Sequence, residues 1–460
     1  MINRSFPSNW TVATLGEISS YIQRGKSPKY VESSPLAVIN QKCIRWNQLQ
    51  TEHQKYIHPE QIPTWDANRH IRQGDILWNS TGTGTVGRAY LVKSTDCQPQ
   101  KVVDSHVTIV RSNAEVDSRI IFYWIKGPNV QNRIEELCDG STNQVELSRT
   151  AISEIKIPLP PISEQRRIAD KLDRVLARVD AANEHLSRVA PLIKRFRQSV
   201  LAAATSGRLT EDWRKHDEYQ TATVRMDEIG KVSGGLTKNT KRAELPLRKA
   251  YLRVANVYPN EVRLEDVLEI GLTESEYEKT KLTYGDLLIV EGNGSIDQIG
   301  RVAMWKDELP ECSHQNHLIR WRRSNLNIAP EFILAYLMSP AGRKQIISAA
   351  SSTSGLHTLS VSKISALELN IPPLEEQTEI VRRVEKLFAF ADRLEERLSL
   401  AQAAVQKLTP ALLAKAFRGE LVPQDPNDEP ASKLLKRLQE NRSESTKPSR
   451  ARKPRARKSP

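Results

Sequence analysis

The 460-residue sequence has no apolar run of about 18 residues or more, so no membrane-spanning helix is expected. Its opening, MINRSFPSNWTVATLGEISS, lacks the continuous apolar stretch of a signal peptide. Cysteine is scarce: Cys43, Cys97, Cys138 and Cys312 are scattered and form no C-x-x-C. They read as reduced thiols, and a cytoplasmic protein is expected. Acid is missing from the last 14 residues, KPSRARKPRARKSP, which hold seven Lys/Arg of a chain with formal net charge +13. A proline-broken basic run of this kind is expected to be disordered. It either attracts polyanions without reading sequence or serves only as a solubilising tail. What remains is ample for folded cores: 38% of residues are hydrophobic, and the length admits two to four domains.

The chain repeats itself. IPLPPISEQRRIADKLDRVLARVD begins at Ile157, and LNIPPLEEQTEIVRRVEKLFAFAD begins at Leu369. Pro160-Pro161 pairs with Pro372-Pro373, Glu164-Gln165 with Glu376-Gln377, and Asp180 with Asp392, each 212 residues apart. At the same offset, the GRL that begins at Gly207 matches the GEL that begins at Gly419. At an offset of 211, GDILW from Gly74 matches GDLLI from Gly285, and His106 matches His317. Solenoid repeats recur every 20–50 residues or so, far below this period, so the chain reads as a duplicated domain.

After each Pro-Pro the apolar residues step by four and three. The first series is Ile168, Leu172, Val175, Val179, Ala182, Leu186, Val189, Ile193, Phe196 and Val200. The second is Ile380, Val384, Leu387, Ala391, Leu394, Leu398, Ala401, Val405, Leu408 and Leu412. Sustained heptads of this kind mark a coiled-coil seam. Ser163 is the expected N-cap of the first helix, and Gly207 and Gly419 lie where helix ends are expected. A helix over residues 164–206 would be about 65 Å long. Pro191 and Pro410 fall within the two patterns and predict a bend or interruption in each. Each seam is the other's natural partner. An antiparallel pair would place the globular regions at opposite ends of a rod; the alternative is that each helix packs only on its own globular region.

Those regions carry short β-like runs (LAVIN, GDILWN, SHVTIVR, GDLLIV, GRVAMW) between turn-rich loops, with helical segments near 120–125 and 330–337. The expected fold class is α+β: two similar α+β recognition domains separated by two long helical regions that pair as an antiparallel coiled coil. The boundaries read 1–160, 161–210 (helical), 211–372, 373–422 (helical) and 423–460, a basic tail expected to be disordered. The copies share framework strands and differ in their loops, and loops carry recognition.

Enzyme-like motifs fail on context. GTGTVG at 82–87 fits G-x-G-x-x-G, but RAYLV follows it as a strand where a dinucleotide fingerprint must open a helix. GKS at 25–27 lacks the leading glycine of a P-loop, since position 20 is Ser20. CSHQNH at 312–317 lies in a strand-like context, and only His317 is echoed in the other copy, which argues against a metal site. NIPPL at 370–374 has an inserted Ile371 and a non-aromatic Leu374 where an amino-methyltransferase motif has neither.

GKSP, IPLPPISEQRRIADKLD with KRFRQSVLAAATSGRLTEDWR, and IPPLEEQTEIVRRVEKLFAFAD with LLAKAFRGELV together resemble the specificity subunit of type I restriction–modification enzymes, over roughly residues 1–425. The resemblance implies two target-recognition domains on double-stranded DNA, each reading half of a split, asymmetric site, with the helices as a ruler. It implies two modification subunits that bind S-adenosylmethionine and methylate adenine, and restriction subunits that translocate and cleave DNA with ATP and magnesium. On this view the chain holds no cofactor, no metal and no catalytic residue. The loop residues that could reach DNA are Lys26, Lys29, Asn79, Thr81, Thr83, Arg88 and His106 in the first domain. In the second they are Lys238, Lys241, Arg242, Asn293, Ser295, Gln298 and His317. A self-contained methyltransferase or nuclease, and a coiled-coil scaffold held to DNA only by its tail, are the competing readings.

Overall fold

The computed structural model describes residues 6–138, 145–214, 218–353 and 356–445. The chain forms two compact units, one from residues up to 185 together with those from 401 onward, the other from residues 186–400. Each unit therefore contains one globular region and part of each long helical region.

In the first unit a strand β1 (Thr11–Thr14) pairs antiparallel with the strand that precedes the long helix, and a four-stranded sheet forms the centre. The sheet consists of β2 (Ser19–Arg24), β3 (Ile76–Asn79), β4 (Ala89–Leu91) and β5 (Val107–Ser112), in the order β2-β5-β3-β4. A nine-residue helix α1 (Ser118–Lys126), the strand β6 (Lys156–Leu159) and the long helix α2 (Ile162–Thr205) follow. Within GDILWN the three residues Ile76, Leu77 and Trp78 are all apolar because both faces of β3 are covered. Side chains alternate along a strand, so Ile76 and Trp78 join the core beneath α1 and α2. Leu77 instead joins Ile39 and Val103 on the opposite face. There, a second sheet contains Ala37–Ile39 paired in parallel with Lys101–Val103.

The second unit repeats the plan. β7 (Ala222–Arg225), β8 (Gly230–Ser233), β9 (Leu287–Val290), β10 (Val302–Met304), β11 (Leu318–Arg323), α3 (Pro330–Met338), β12 (Glu368–Ile371) and α4 (Leu374–Ala416) come in the same sequence. The central order is β8-β11-β9-β10, and β7 pairs with β12 as β1 does with β6. Leu287 and Ile289 face the helices; Leu288 and Val290 face the second sheet.

Two repeated phrases now have physical causes. In Gly-Asp, Gly74 and Gly285 take φ of +85° and +88°, which favours glycine. The aspartate that follows is fully buried and accepts two hydrogen bonds from one arginine. Asp75 takes Arg111 at 2.6 and 2.7 Å, and Asp286 takes Arg322 at 2.7 Å twice. In Pro-Pro-x-x-Glu-Gln, the glutamine locks the long helix to the short one. Gln165 accepts from the Asp117 amide at 3.0 Å and donates to the Pro160 carbonyl at 2.9 Å. Gln377 accepts from the Ala329 amide at 2.9 Å and donates to Pro372 at 2.8 Å. Asp117 and Ala329 are the N-cap residues of α1 and α3, so each glutamine satisfies an amide at a helix start. The glutamates are equally buried but bind different partners: Glu164 takes Trp10 Nε1 at 2.8 Å and Gln424 Nε2 at 2.5 Å. Glu376 takes Thr210 Oγ1 at 2.6 Å and the Arg214 guanidinium. Burial pushes the Glu164 carboxyl above the usual range.

α2 and α4 run unbroken through Pro191 and Pro410, which corrects the expected interruption. Both prolines are exposed, where a ring on the helix surface meets no packed neighbour, and buried Ile193 and Leu413 hold the following turns. α2 begins at Ile162, which places Ser163 inside the first turn rather than at the cap.

The seam is also partly rewritten. Ile168 and Leu172 pack in the first unit's core with Leu413 and Ala416, while Val175 is half-buried. Ile380 and Val384, with Leu387 at the margin, pack in the second unit's core with Val200 and Leu201. Also in the second unit, Ile193, Leu186 and Phe196 meet Ala391 and Leu398. Within the second unit, contacts that advance along α2 from Ile193 to Leu201 retreat along α4 from Leu398 to Ile380, so the helices are antiparallel. Arg197 ties them, at 2.6 Å from Asp392 and 3.1 Å from Glu395. The helices thus pair with each other and also pack on their globular regions. Leu408 is 45% exposed and lies outside the seam.

The expected disorder from residue 423 is corrected as well. Residues Ala431–Ser445 form a helix, α5, whose Ala431, Leu434 and Leu438 are buried in the first unit's core. Spacing of three and four gives it one apolar face. The basic run 447–460 lies outside the described residues.

Candidate nucleic-acid interface

The loops that differ between the copies hang from the same framework positions. In the first unit, the 80–88 loop leaves β3 and returns as β4. Gly82, Gly84 and Gly87 all have positive φ, and a Cβ on Gly87 would lie 2.7 Å from Ile134. These glycines serve a tight turn that feeds a strand, so the loop offers no helix N-terminus to a cofactor phosphate. His106 sits beside it: the Ser80 amide donates to the His106 carbonyl at 2.9 Å, and Nδ1 lies 2.7 Å from Thr81 Oγ1. In the second unit the Glu291 amide donates to the His317 carbonyl at 3.0 Å, and His317 Nδ1 lies 3.0 Å from Glu291 Oε2. Both histidines are exposed, so the sequence echo marks one corner of the framework where the two units hold different neighbours.

Several expected contacts occupy this region. Thr81 and His106 meet, Arg88 Nη2 donates to Gly84 O at 2.8 Å, and Thr83 is exposed. Lys29 is exposed; Lys26 is half-buried, with Nζ 2.9 Å from Thr64 O and 5.5 Å from the Trp65 ring centroid. Lys238, Lys241, Ser295 and Gln298 are exposed. Asn293 is half-buried and accepts from the Ser295 amide at 2.9 Å.

Two expectations give way. Asn79 is fully buried and donates to the carbonyls of Gln41 and Thr85 at 3.1 and 3.2 Å. Its amide holds the loop and presents nothing to a ligand. Arg242 is fixed by Thr237 O at 2.7 Å and by the Glu276 carboxylate at 2.8 and 3.1 Å. The arginine holds that carboxyl down to about 2. This pair braces the second sheet, and its guanidinium is committed.

Sequence reasoning missed two groups. Arg24 donates to the Ser105 carbonyl at 2.5 Å and pairs with Glu146 beside Thr81. In the second unit Tyr258 is flanked by Arg263 at 3.8 Å and Arg301 at 5.3 Å from its ring centroid. Gly87-Arg88 and Gly300-Arg301 both end the variable loop, so the glycine-arginine pair was the available signal for Arg301. The CSHQNH segment is structural in its first half: Cys312 and His314 are buried, and burial pushes the thiol up to about 12 and the imidazole down to about 3. No group of three or more His, Cys, Asp or Glu is placed to hold a metal ion among the described residues. No described helix is long and apolar enough to cross a membrane.

Two α+β regions of one framework thus carry unlike loops, and each leads into a long helix. The family described as type I restriction modification DNA specificity domain matches residues 7–189 and again 218–401. The EcoKI specificity subunit of Escherichia coli K12 is 30% identical over 434 residues, covering 91% of this chain and 90% of that protein. The StySPI specificity subunit of Salmonella potsdam is 28% identical over 428 residues, covering 91% and 90%. A chain solved for complex assembly and conformational transition of the type I R-M system shares the fold, with TM-score 0.68, 18% identity, and 91% and 100% covered. The HsdS subunit from Thermoanaerobacter tengcongensis gives TM-score 0.56, 18% identity, and 91% and 99% covered. The chain belongs to the type I restriction–modification specificity subunits, and its function is recognition of DNA sequence.

Proposed function

We propose that each globular region reads one half of a bipartite, asymmetric DNA site, and that the paired helices fix the gap and dock two modification subunits. The observation that carries this reading is one framework presented twice with different loops. Identical readers would select a palindrome; unlike loops select two unrelated half-sites. A duplex repeats each groove every 10–10.5 base pairs or so, about 34 Å, so two readers held at a fixed spacing address one site with an unread gap. Chemistry is left to other subunits. Modification subunits bring S-adenosylmethionine and methylate adenine, and restriction subunits bring ATP and magnesium. This chain contributes no catalytic residue and holds no cofactor.

The test is methylation mapping with the chain and modification subunits together. One split adenine-containing motif is expected. Inserting four residues into α2 should change the tolerated gap and leave both half-sites alone. Replacing residues 1–160 by another reader should change one half-site only. Methylation by the isolated chain would favour a self-contained enzyme, and loss of all binding on deleting 447–460 would favour a scaffold held by its tail.

A further inference from the structure

The two units part company beside the short helix that each glutamine locks. α1 and α3 have nine residues each and start 212 residues apart, so Tyr123 and Ala335 hold the same position, as do Arg119 and Glu331. By the same offset Asp173 on α2 corresponds to Glu385 on α4.

In the first unit this place is filled. The Tyr123 hydroxyl donates to Asp173, and Arg119 reaches Asp170 and Asp173 at 2.7 Å each. Phe122 packs against Trp46 with ring centroids 6.3 Å apart, and Lys126 lies 5.9 and 6.0 Å from these rings. In the second unit it is a cavity of about 220 Å³ lined by Leu334, Ala335, Met338, Val384 and Phe388. Glu331, Glu385 and Lys306 are the charged residues of the lining, two acids to one base, and Asn260 and Tyr284 also face it. Among the described residues neither carboxylate has an ion-pair or hydrogen-bond partner. Small-molecule pockets run from about 300 to 1,000 Å³, so this one fits a single side chain better than a cofactor.

We infer that the cavity receives an aromatic side chain flanked by a cationic one, presented by a modification subunit as it docks on the second unit. The first unit shows what the place accepts: a phenol ring and a guanidinium set against a carboxylate. It supplies both itself, whereas the matched positions of the second unit hold Ala335 and Glu331. Aromatic anchors in pockets, with a matching charge beside them, dominate protein interfaces. The inference rests on the proposed docking of modification subunits.

The experiment uses the full chain titrated with the modification subunit of its own system, followed by native mass spectrometry and calorimetry. Ala335→Tyr fills the cavity with the first unit's own residue. The expected result is an unchanged or raised Tm with a roughly tenfold or greater loss of affinity for one of the two subunit copies. The Glu331→Gln/Glu385→Gln chain leaves the apolar walls intact and should lose affinity for the same copy; it decides the matter if Ala335→Tyr lowers Tm. Unaltered affinity in a folded Ala335→Tyr chain overturns the inference and makes the cavity a packing gap. A wild-type chain that captures no modification subunit refutes the docking reading itself, a result visible before any variant is made.

Discussion

Asp75 and Arg111 meet through two parallel hydrogen bonds of 2.6 and 2.7 Å, with the aspartate wholly out of water. Removing one member of such a pair strands the other's charge, at about 3–5 kcal/mol. Asp75→Ala should therefore lower the chemical-denaturation midpoint of the first unit steeply. Asp286→Ala should cost less, because Arg322 is 31% exposed against 13% for Arg111. Equal losses in the two variants would contradict this ranking.

Gln165→Ala and Gln377→Ala each leave an amide at the start of a short helix without its side-chain acceptor. Each should cost about 1–3 kcal/mol. Hydrogen exchange should rise at Asp117 in one variant and at Ala329 in the other, with the opposite unit unaffected.

His314 gives the second unit an acid sensitivity. Its ring is buried, with Nδ1 3.1 Å from the Thr280 carbonyl, and burial followed by Arg320 pushes it from 6.5 down to about 3. Between those values the unfolded chain binds a proton that the folded chain refuses. The contribution is complete above the unfolded value and shrinks as pH falls, by up to about 1.4 kcal/mol per unit. His314→Leu should flatten that slope in urea titrations from neutral pH to about pH 4. A slope unchanged by the substitution would refute the assignment.

Truncation separates helix from tail. Deleting 446–460 should leave the first unit's Tm in place, whereas deleting from Ala431 onward removes Leu434 and Leu438 from the core, each worth about 1.5–3 kcal/mol. Calorimetry of the two truncations distinguishes them.

Loop variants separate grip from reading. Lys29→Ala and Lys241→Ala should weaken binding to every duplex alike and reduce the salt slope by about one phosphate each. His106→Ala and His317→Ala should each relax one half-site only. Arg242→Ala should lower Tm without relaxing either.

The duplication and the helices were legible because they rest on periodicity and on glycine and proline at fixed places. The match of GDILW from Gly74 with GDLLI from Gly285 marked the repeated framework, and the heptads gave α2 and α4. The limits were equally physical. Pro191 and Pro410 read as breaks, because a sequence does not say which side of a helix meets water. Leu408 fits the heptad yet stays exposed, since a pattern cannot show where a seam has lost its partner. The helix Ala431–Ser445 was hidden behind the basic run that follows it. Asn79 and Arg242 looked like candidate readers because side chains of their type contact bases and phosphates; their burial and pairing depend on Gln41 and Glu276, 38 and 34 residues away in the chain. Arg263 and Tyr258 carried no signal until folding stacked them.

The paired glutamine locks have a practical outcome. Because the same latch fastens each reader to its helix through main-chain atoms, it asks nothing of the side chains beyond it. On the proposed two-reader function, a foreign globular region that supplies those main-chain atoms is expected to keep the glutamine latch, while whatever replaces Trp10 beside Glu164 decides whether that buried carboxylate stays satisfied.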